Sequence, residues 1–138
     1  MKLITRDTDY AIRALCYIAK DKGKIVSVKK LVKDLKIPRP FLRKILQILN
    51  KENLLKSYKG KGGGFRLALD PAKIFVIDLI RVFQGPVNLS EHIFKKKVCS
   101  HIKVCILKKK LDTIEKYVIS ELASITVASL MPECDKKK

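Results

Sequence analysis

The sequence predicts a mainly α-helical fold with one small β-hairpin. Apolar residues recur at three- and four-residue spacing along most of the chain, which is the period of amphipathic helices. Two short segments, 54–59 and 65–69, instead alternate apolar and polar residues as strands do, and a glycine-rich stretch separates them. The 138 residues, 47% of them hydrophobic, are enough for one domain with its own core.

The first two helices are predicted over residues 8–20 and 28–36, with Thr8 and Ser27 as their N-caps. Pro38 and Pro40 break the second helix and suit the first turn of a third, where a missing N–H costs nothing. Two short helices joined by a tight turn make a candidate helix-turn-helix.

The predicted third helix has a basic, amide-bearing outer face on the end that would enter a major groove. Arginine can bond O6 and N7 of guanine together, and glutamine can do the same with N6 and N7 of adenine. Ser27 is placed to present its hydroxyl to a phosphate, while an ordinary exposed amide is the alternative for Gln47. The predicted contacts of this unit are Ser27, Arg39, Pro40, Arg43, Lys44 and Gln47.

The glycine-rich hairpin tip does not match a nucleotide-binding loop. Lys61 is followed by Gly62 rather than Ser or Thr, and Phe65 stands where a dinucleotide fingerprint needs glycine. A tip without side chains can lie against a sugar–phosphate rail while flanking lysines approach the minor groove. The predicted contacts here are Lys59, Lys61, Gly62 and Gly63, and a merely flexible turn is the alternative.

The C-terminal half is predicted to contain a helix over residues 74–84, an irregular loop and one long helix. Gly85 and Pro86 end the helix at 84. From Cys105 onward a narrow apolar seam has nearly the coiled-coil period, so the long helix should pack on its symmetry mate. The predicted homodimer interface consists of Leu107, Leu111, Ile114, Val118 and Leu122.

The chain is strongly basic, with 31 Lys or Arg against 13 acidic residues and a net charge of +18. Residues 1–66 carry +13 of this charge, so it follows the helix-turn-helix and the hairpin. Polyanions are therefore the expected partners, and we expect double-stranded DNA and no membrane, because the apolar faces lack Trp and are needed for folding. A protein that binds nucleic acid through charge alone is the alternative.

A cytoplasmic location is expected. No apolar run approaches the roughly 20 residues that cross a membrane. Charge returns at positions 6 and 7, unlike the continuous apolar run of a signal peptide. The four cysteines should then be reduced thiols or metal ligands, since disulfide frameworks belong to small secreted domains that lack a core.

The cysteines suggest a metal site only weakly. Cys99 and Cys105 flank His101 in the basic loop, at a spacing that is poor for zinc but compatible with an iron–sulfur cluster. From the residues alone, two unliganded thiols are the simpler interpretation. Cys16 is expected in the core and Cys134 in a frayed tail. With no persuasive carboxylate pair or Ser/His/Asp arrangement, we expect no enzyme.

Several segments together resemble the Rrf2 superfamily of bacterial regulators, which includes IscR-, NsrR-, RirA- and CymR-type repressors. They are DYAIRAL at 9–15, IPRPFLRKIL at 37–46 and KGKGGGF at 59–65, with shorter matches at 78–80, 85–86 and 125–130. The triple glycine after the third helix is the most specific of them. The resemblance implies a winged helix-turn-helix homodimer that binds an imperfect palindrome, with Lys59 of the hairpin wing in the minor groove.

The resemblance also implies a possible [2Fe-2S] or [4Fe-4S] cluster in the loop before the dimer helix. Cys99 and Cys105 match the second and third cluster cysteines of the family, but Ile93 stands where the first is expected. Asp9 matches a carboxylate that other members supply from the partner subunit, and His101 or His92 is a candidate for the missing ligand. A cluster-free branch, which senses a metabolite or a protein partner, is the alternative.

The sequence thus predicts a DNA-binding transcriptional regulator that acts as a repressor, and it divides the chain into three regions. Residues 1–86 form the winged helix-turn-helix domain. Residues 87–105 form the sensor or cluster loop. Residues 106–138 form the dimerisation helix and a C-terminal tail.

Overall fold

The computed structural model describes residues 2–21, 23–89 and 106–136 and confirms a mainly helical fold with one two-stranded antiparallel hairpin. The elements in chain order are α1 (Arg6–Lys20), α2 (Val28–Leu35), α3 (Arg39–Lys51), β1 (Leu55–Tyr58), β2 (Gly64–Leu67), a 3-10 turn (Pro71–Lys73), α4 (Val76–Gln84), α5 (Ile106–Ala123) and α6 (Val127–Lys136). In the part of the chain that the structure describes, no helix is both long and apolar enough to cross a membrane.

Helix α1 begins earlier than the sequence predicts. The N-cap position is Thr5, and Thr8 is a fully buried residue inside the helix. The Thr8 hydroxyl donates to Oε1 of Gln84 at 2.6 Å, so it is satisfied by a distant helix and does not serve as a cap. Asp7 and Asp9 in the first turn stabilise this end, because carboxylates favour the positive end of the helix dipole.

The helix-turn-helix forms as predicted. The hydroxyl of Ser27 accepts a hydrogen bond from the Lys30 N–H at 3.2 Å and caps α2. Helix α2 ends at Leu35, one residue before the predicted end, because Lys36 takes a left-handed conformation with φ of 57°. Pro40 lies in the first turn of α3, where a proline is tolerated.

The hairpin is joined to the helices by one extra rung of pairing. Strand β1 pairs with β2 from Leu55 opposite Leu67 to Tyr58 opposite Gly64. Val26, which lies just before α2, exchanges hydrogen bonds of 2.8 and 2.9 Å with Phe65. This exchange fixes the hairpin relative to the start of α2.

The C-terminal part contains two helices instead of one long helix and a frayed tail. Helix α5 ends at Ala123, and α6 starts at Val127 after a short connection. Thr126 and Ser129 bond each other's backbone N–H groups at 3.0 and 3.1 Å, which is a reciprocal cap of α6. The prediction of one helix was wrong. The apolar spacing continues through the break, but the cap at Thr126 and the antiparallel pairing of Thr126 with Phe75 interrupt the helix.

The chain's two ends share one core. Fully buried Leu15, Leu31, Leu46 and Val127 belong to a single cluster built from α1, α2, α3 and α6. Helix α6 therefore packs against α1 and supports the helix-turn-helix. A second cluster, centred on Ile77 and Ile80, joins α4 to the end of α5.

Candidate nucleic-acid interface

The predicted recognition face is exposed on α3. Leu42, Ile45, Leu46 and Leu49 are buried on the opposite side of the helix. Amphipathic packing of this kind fixes which side chains point outward. The outward, exposed set includes all five predicted residues of α3, namely Arg39, Pro40, Arg43, Lys44 and Gln47.

The cationic groups on this face are not neutralised internally. Across 2–21, 23–89 and 106–136, the ion pairs are Asp9 with Arg13, Asp21 with Lys30, Asp78 with Arg81 and Asp112 with Lys108. Arg39, Arg43 and Lys44 are in none of them. Their charges are therefore available to an external anion, and the positive end of α3 adds to the same potential.

Ser27 caps α2, and this role leaves its hydroxyl proton available for a phosphate. Its oxygen accepts the capping bond from Lys30 N–H, which uses one lone pair. The hydroxyl proton can still be donated to a phosphate at the start of α2. The predicted phosphate contact by Ser27 is compatible with this half-buried position and stays a prediction.

The wing tip is a turn in which glycine is required. Gly60 and Gly62 have φ values of +89° and +78°, and Gly63 N–H donates to the Gly60 carbonyl at 3.0 Å. A Cβ on Gly63 would overlap the carbonyl oxygen of Tyr58. Glycine is therefore required at position 63 by close packing of the protein's own backbone, in addition to the close approach to DNA that the sequence suggested. Lys59 and Lys61 are exposed on either side.

A cleft of about 450 Å³ separates α3 from the wing. It brings together three predicted residues, Gln47, Lys59 and Gly63, and adds Asn50 and Ser57, which the sequence analysis missed. Asn50 follows Gln47 by three residues and so shares its side of α3, which is a spacing signal that could have identified it. Ser57 is an exposed residue of β1 and has no comparable signal.

An arginine packs over an aromatic ring on the side of the wing. The Arg66 guanidinium carbon lies 5.7 Å from the ring centroid of Tyr58, within the range of a cation–π interaction. Arg66 and Ser57 occupy neighbouring rungs of the hairpin. This places one further cation on the wing, beside the predicted Lys59 and Lys61.

The α1–α2 contact is held by a tyrosine that sequence analysis did not single out. Tyr17 is buried, its hydroxyl donates to the carboxylate of Asp34, and the Lys30 ammonium lies 5.9 Å from its ring centroid. Burial, followed by the bond to Asp34 and the nearby charges of Asp34 and Asp21, raises the pKa of Tyr17 to about 12. The neutral phenol is therefore the form that α2 packs against.

A second unpredicted network connects the N-terminal segment to α4. Gln84 Oε1 accepts from Thr5 N–H at 3.0 Å and from the Thr8 hydroxyl, while Gln84 Nε2 donates to the Leu3 carbonyl at 3.2 Å. One amide thus satisfies three groups of the start of α1. No helical period reveals such a contact, because 76 to 81 residues separate the partners.

Of the candidate cluster ligands, Cys99, His101 and Cys105 lie outside the described residues. Asp9 lies in the first turn of α1, and its Oδ2 is 3.1 Å from Nε of Arg13. Both side chains are about half exposed, so the carboxylate is accessible to another chain. Within the described ranges, no three potential metal ligands come together. Buried Cys16 is confirmed as a core residue.

The predicted dimer seam is divided between two roles. Leu107 and Ile114 are 60% and 50% exposed, whereas Leu122 is only 6% exposed and Val118 packs beside it against α4. Leu111 is half-buried. Tyr117, which is 66% exposed, continues the row of Leu107 and Ile114. The uncovered apolar stripe thus lies on the first two thirds of α5.

Comparison with known proteins identifies the family to which the chain belongs. The Rrf2 family, described as an iron-dependent transcriptional regulator, matches residues 4–133. A protein of Aquifex aeolicus (strain VF5), named as an HTH-type transcriptional regulator, is 32% identical over 124 residues, which cover 88% of this chain and 86% of that protein.

Two further proteins extend the comparison. The HTH-type transcriptional regulator NsrR of Bacillus subtilis (strain 168) is 29% identical over 132 residues, covering 88% of this chain and 90% of NsrR. The solved structure of T. potens IscR superimposes with a TM-score of 0.74 at 24% identity, covering all of this chain and 91% of the other, which shows the shared fold. The chain belongs to the Rrf2 family and is a DNA-binding transcriptional regulator, not an enzyme.

Proposed function

We propose that this regulator binds an imperfect palindrome as a homodimer, with α3 of each protomer in a major groove and each hairpin in the adjacent minor groove. The observation that carries the proposal is that the exposed basic face of α3 and the exposed lysines of the wing lie on either side of one cleft. A helix about 10–12 Å across fits a major groove about 12 Å wide. Arg39, Arg43 and Lys44, which form no ion pair within the described residues, supply base-edge and phosphate donors on that helix.

The exposed stripe on α5 supports the dimer. Leu107, Ile114 and Tyr117 recur at seven- and three-residue spacing and lie uncovered on one side of a helix of 18 residues. A second copy of the same stripe can bury them in a two-fold interface, which would hold the two recognition surfaces at a fixed spacing. Half-site separation on the DNA would then follow from the geometry of the dimer.

Selection of duplexes from a random library tests sequence specificity directly. The full chain should enrich one two-fold-related motif and bind it about 10³-fold or more tightly than random duplex at the same salt. Sedimentation of the complex should give two chains per duplex. A steep salt dependence without any enriched motif would instead support binding of nucleic acid through charge alone.

We further propose that the loop over 87–105 senses redox state or holds an iron–sulfur cluster through Cys99, Cys105, His101 and Asp9 of the other protomer. Thiolates suit iron–sulfur clusters, and half-exposed Asp9 can turn from Arg13 toward another chain. The similarity to NsrR and the iron-dependent description of the family support this assignment. A bound cluster would supply a centre whose charge and ligation change on oxidation.

One contact connects the candidate sensor to the dimer helix. The Leu89 N–H, at the start of the loop, donates to Oε1 of Glu115 on α5 at 2.9 Å. A change at the loop could therefore alter α5 and the spacing of the two recognition surfaces, provided that DNA and the sensed species prefer different conformers.

Anaerobic absorption spectra with iron and sulfide analysis test the cluster. Freshly purified protein should show visible cluster bands that disappear when Cys99 and Cys105 are both replaced with Ala. Colourless, iron-free protein that still binds the selected duplex would favour the cluster-free alternative, which senses a metabolite or protein partner. Equal DNA affinity of that double variant under oxidising and reducing conditions is expected, whereas redox-dependent affinity of the variant would contradict sensing by these thiols.

A further inference from the structure

We propose that the cleft between α3 and the wing holds the sugar–phosphate strand that separates the two grooves, with Asn50 and Ser57 as phosphate-binding residues. This inference rests on the proposed mode of DNA binding. Neither residue belongs to the outward basic set, and both line the cleft. The partner is a duplex DNA strand, recognised through its phosphate oxygens.

The topology of the duplex requires such a groove in the protein. A major groove and the next minor groove are always separated by one sugar–phosphate strand. A protomer that places α3 in one groove and the hairpin in the other must straddle that strand. The cleft of about 450 Å³ lies in the corresponding place, between Gln47 and Asn50 of α3 on one side and Ser57 and Lys59 of the hairpin on the other.

The polar residues of the lining have the chemistry of a phosphate site. The Asn50 amide, the Ser57 hydroxyl and the Lys59 ammonium are hydrogen-bond donors, and the residues that line the cleft include neither Asp nor Glu. Neutral donors and a cation favour an anionic strand, whereas a carboxylate would repel it. Phosphate contacts from Asn, Ser and Lys are the ordinary means by which proteins set their register on a duplex.

Two glycines of the cleft lining are fixed by close backbone packing. Gly63 and Gly64 cannot take a Cβ without overlapping the backbone of Tyr58 and Val26, respectively. This packing holds the hairpin against the start of α2, and Ser57 pairs with Phe65 within that hairpin. The position of Ser57 at the cleft is therefore set by the backbone of the hairpin.

Single substitutions measure the two contacts. With the duplex selected from the random library as probe, Asn50→Ala and Ser57→Ala should each weaken binding about a hundredfold, because each protomer of the dimer loses one hydrogen bond to a charged group and each loss costs about tenfold. The slope of log affinity against log salt should not change, since neither residue is charged. Ser120→Ala, an exposed serine on α5, is the matched control and should bind like the unaltered chain.

A charge test separates phosphate contact from structural damage. Asn50→Asp should weaken binding more than Asn50→Ala because it places a carboxylate against the strand. When phosphates of the duplex are replaced one at a time by neutral methylphosphonates, one position in each half-site should remove most of the difference between Asn50→Asp and Asn50→Ala. A variant damaged in folding would bind weakly to every such duplex.

Different results would overturn the cleft assignment and the proposed specific binding of DNA. If the unaltered chain enriches no motif, the proposed specific binding fails and the cleft assignment fails with it. If the chain binds its selected duplex specifically, but Asn50→Ala and Ser57→Ala bind as tightly as the unaltered chain, the cleft assignment alone is overturned. The same conclusion follows if no methylphosphonate position rescues Asn50→Asp.

Discussion

Gly64 adopts a φ of +153° at the first residue of β2, where Val26 pairs with Phe65. A Cβ at Gly64 would overlap the carbonyl of Val26, so any side chain must separate the hairpin from the start of α2. Gly60 differs, because its φ is +89° but open space surrounds it. Glycine is therefore required at position 64 by both backbone conformation and contact with Val26, but at position 60 by backbone conformation alone.

Replacing Gly64 with Ala should lower the free energy of unfolding by about 3 kcal/mol, since strained backbone and overlap occur together. Gly60→Ala, the matched control, should cost about 1 kcal/mol for its left-handed backbone alone. Urea denaturation measures both changes. Equal effects of the two variants would show that the contact between Gly64 and Val26 is not a constraint on the fold.

Gln84 is the residue that holds the start of α1. Gln84→Ala should destabilise the protein by about 1–3 kcal/mol, because the buried Thr8 hydroxyl and the Thr5 N–H lose their shared acceptor. Gln47→Ala, at an exposed position, should change stability by less than about 0.5 kcal/mol. Thermal or urea unfolding of both variants provides the comparison, and similar stabilities would contradict the role of the network.

The raised pKa of Tyr17 predicts an alkaline dependence of stability. The folded-state pKa of about 12 exceeds the ordinary value of 10.0, so the unfolded chain loses this proton first as pH rises. The stabilisation is complete below pH 10 and is lost as pH increases through about 12. The free energy of unfolding should fall less steeply over this range in Tyr17→Phe, and parallel curves for the two proteins would refute the assignment.

At the scale of elements, the apolar residues of α5 are divided along the length of the helix. Its last turns, with Val118 and Leu122, pack on α4 within the chain, whereas Leu107, Ile114 and Tyr117 on its first two thirds are uncovered. If the predicted seam were one continuous dimer interface, all of its residues would be uncovered within the single chain. Division of the helix arises because α4 needs its own covering layer near Ile77 and Ile80.

Ile114→Glu should dissociate the proposed dimer while leaving the fold of each chain intact. The substitution places a charge in the uncovered stripe, where burial against a second copy would desolvate it. Sedimentation velocity should show monomers for this variant and dimers for Ser120→Glu, which places the same charge on another side of α5. A dimeric Ile114→Glu protein would exclude this stripe from the interface.

At the scale of the molecule, the charge distribution determines how DNA affinity depends on salt. Each phosphate neutralised by a cation adds about 0.9 to the slope of log affinity against log salt. Lys59→Ala in both protomers should therefore reduce the slope by about 2, whereas Lys116→Ala on α5 should not change it. Fluorescence anisotropy over a salt series measures the slopes. An unchanged slope for Lys59→Ala would show that this lysine does not neutralise a DNA phosphate.

Much of the fold could be predicted from local patterns. Apolar spacing predicts a buried side of α3 and an exposed basic face opposite it. Of the predicted apolar residues, Leu42, Ile45, Leu46 and Leu49 are buried and Ile48 is half-buried, but Phe41 is 47% exposed. Ser27 was recognisable as a cap because its short side chain satisfies a backbone N–H nearby in sequence. Such features depend on residues within one or two turns of each other.

Contacts between distant segments escaped prediction for a physical reason. Thr8 is a residue type typical of N-caps, yet its hydroxyl donates to Gln84. Likewise, the Thr126 cap that separates α5 from α6 lies within an uninterrupted apolar pattern. Asn50 and Ser57 form opposite sides of one cleft only because α3 and β1 fold together. Spacing from Gln47 could have identified Asn50, but no local pattern pairs Asn50 with Ser57 in the proposed phosphate site.

The amino-acid pattern alone determined that this chain has amphipathic helices, a glycine-rich hairpin and a cationic N-terminal half, because these properties depend on neighbouring residues. Only the tertiary structure decided where α1 begins, that α6 returns to the core, and which part of α5 is left uncovered. Hydrogen bonding and burial between segments far apart in sequence decide those features, and they also place the proposed phosphate donors across a single cleft.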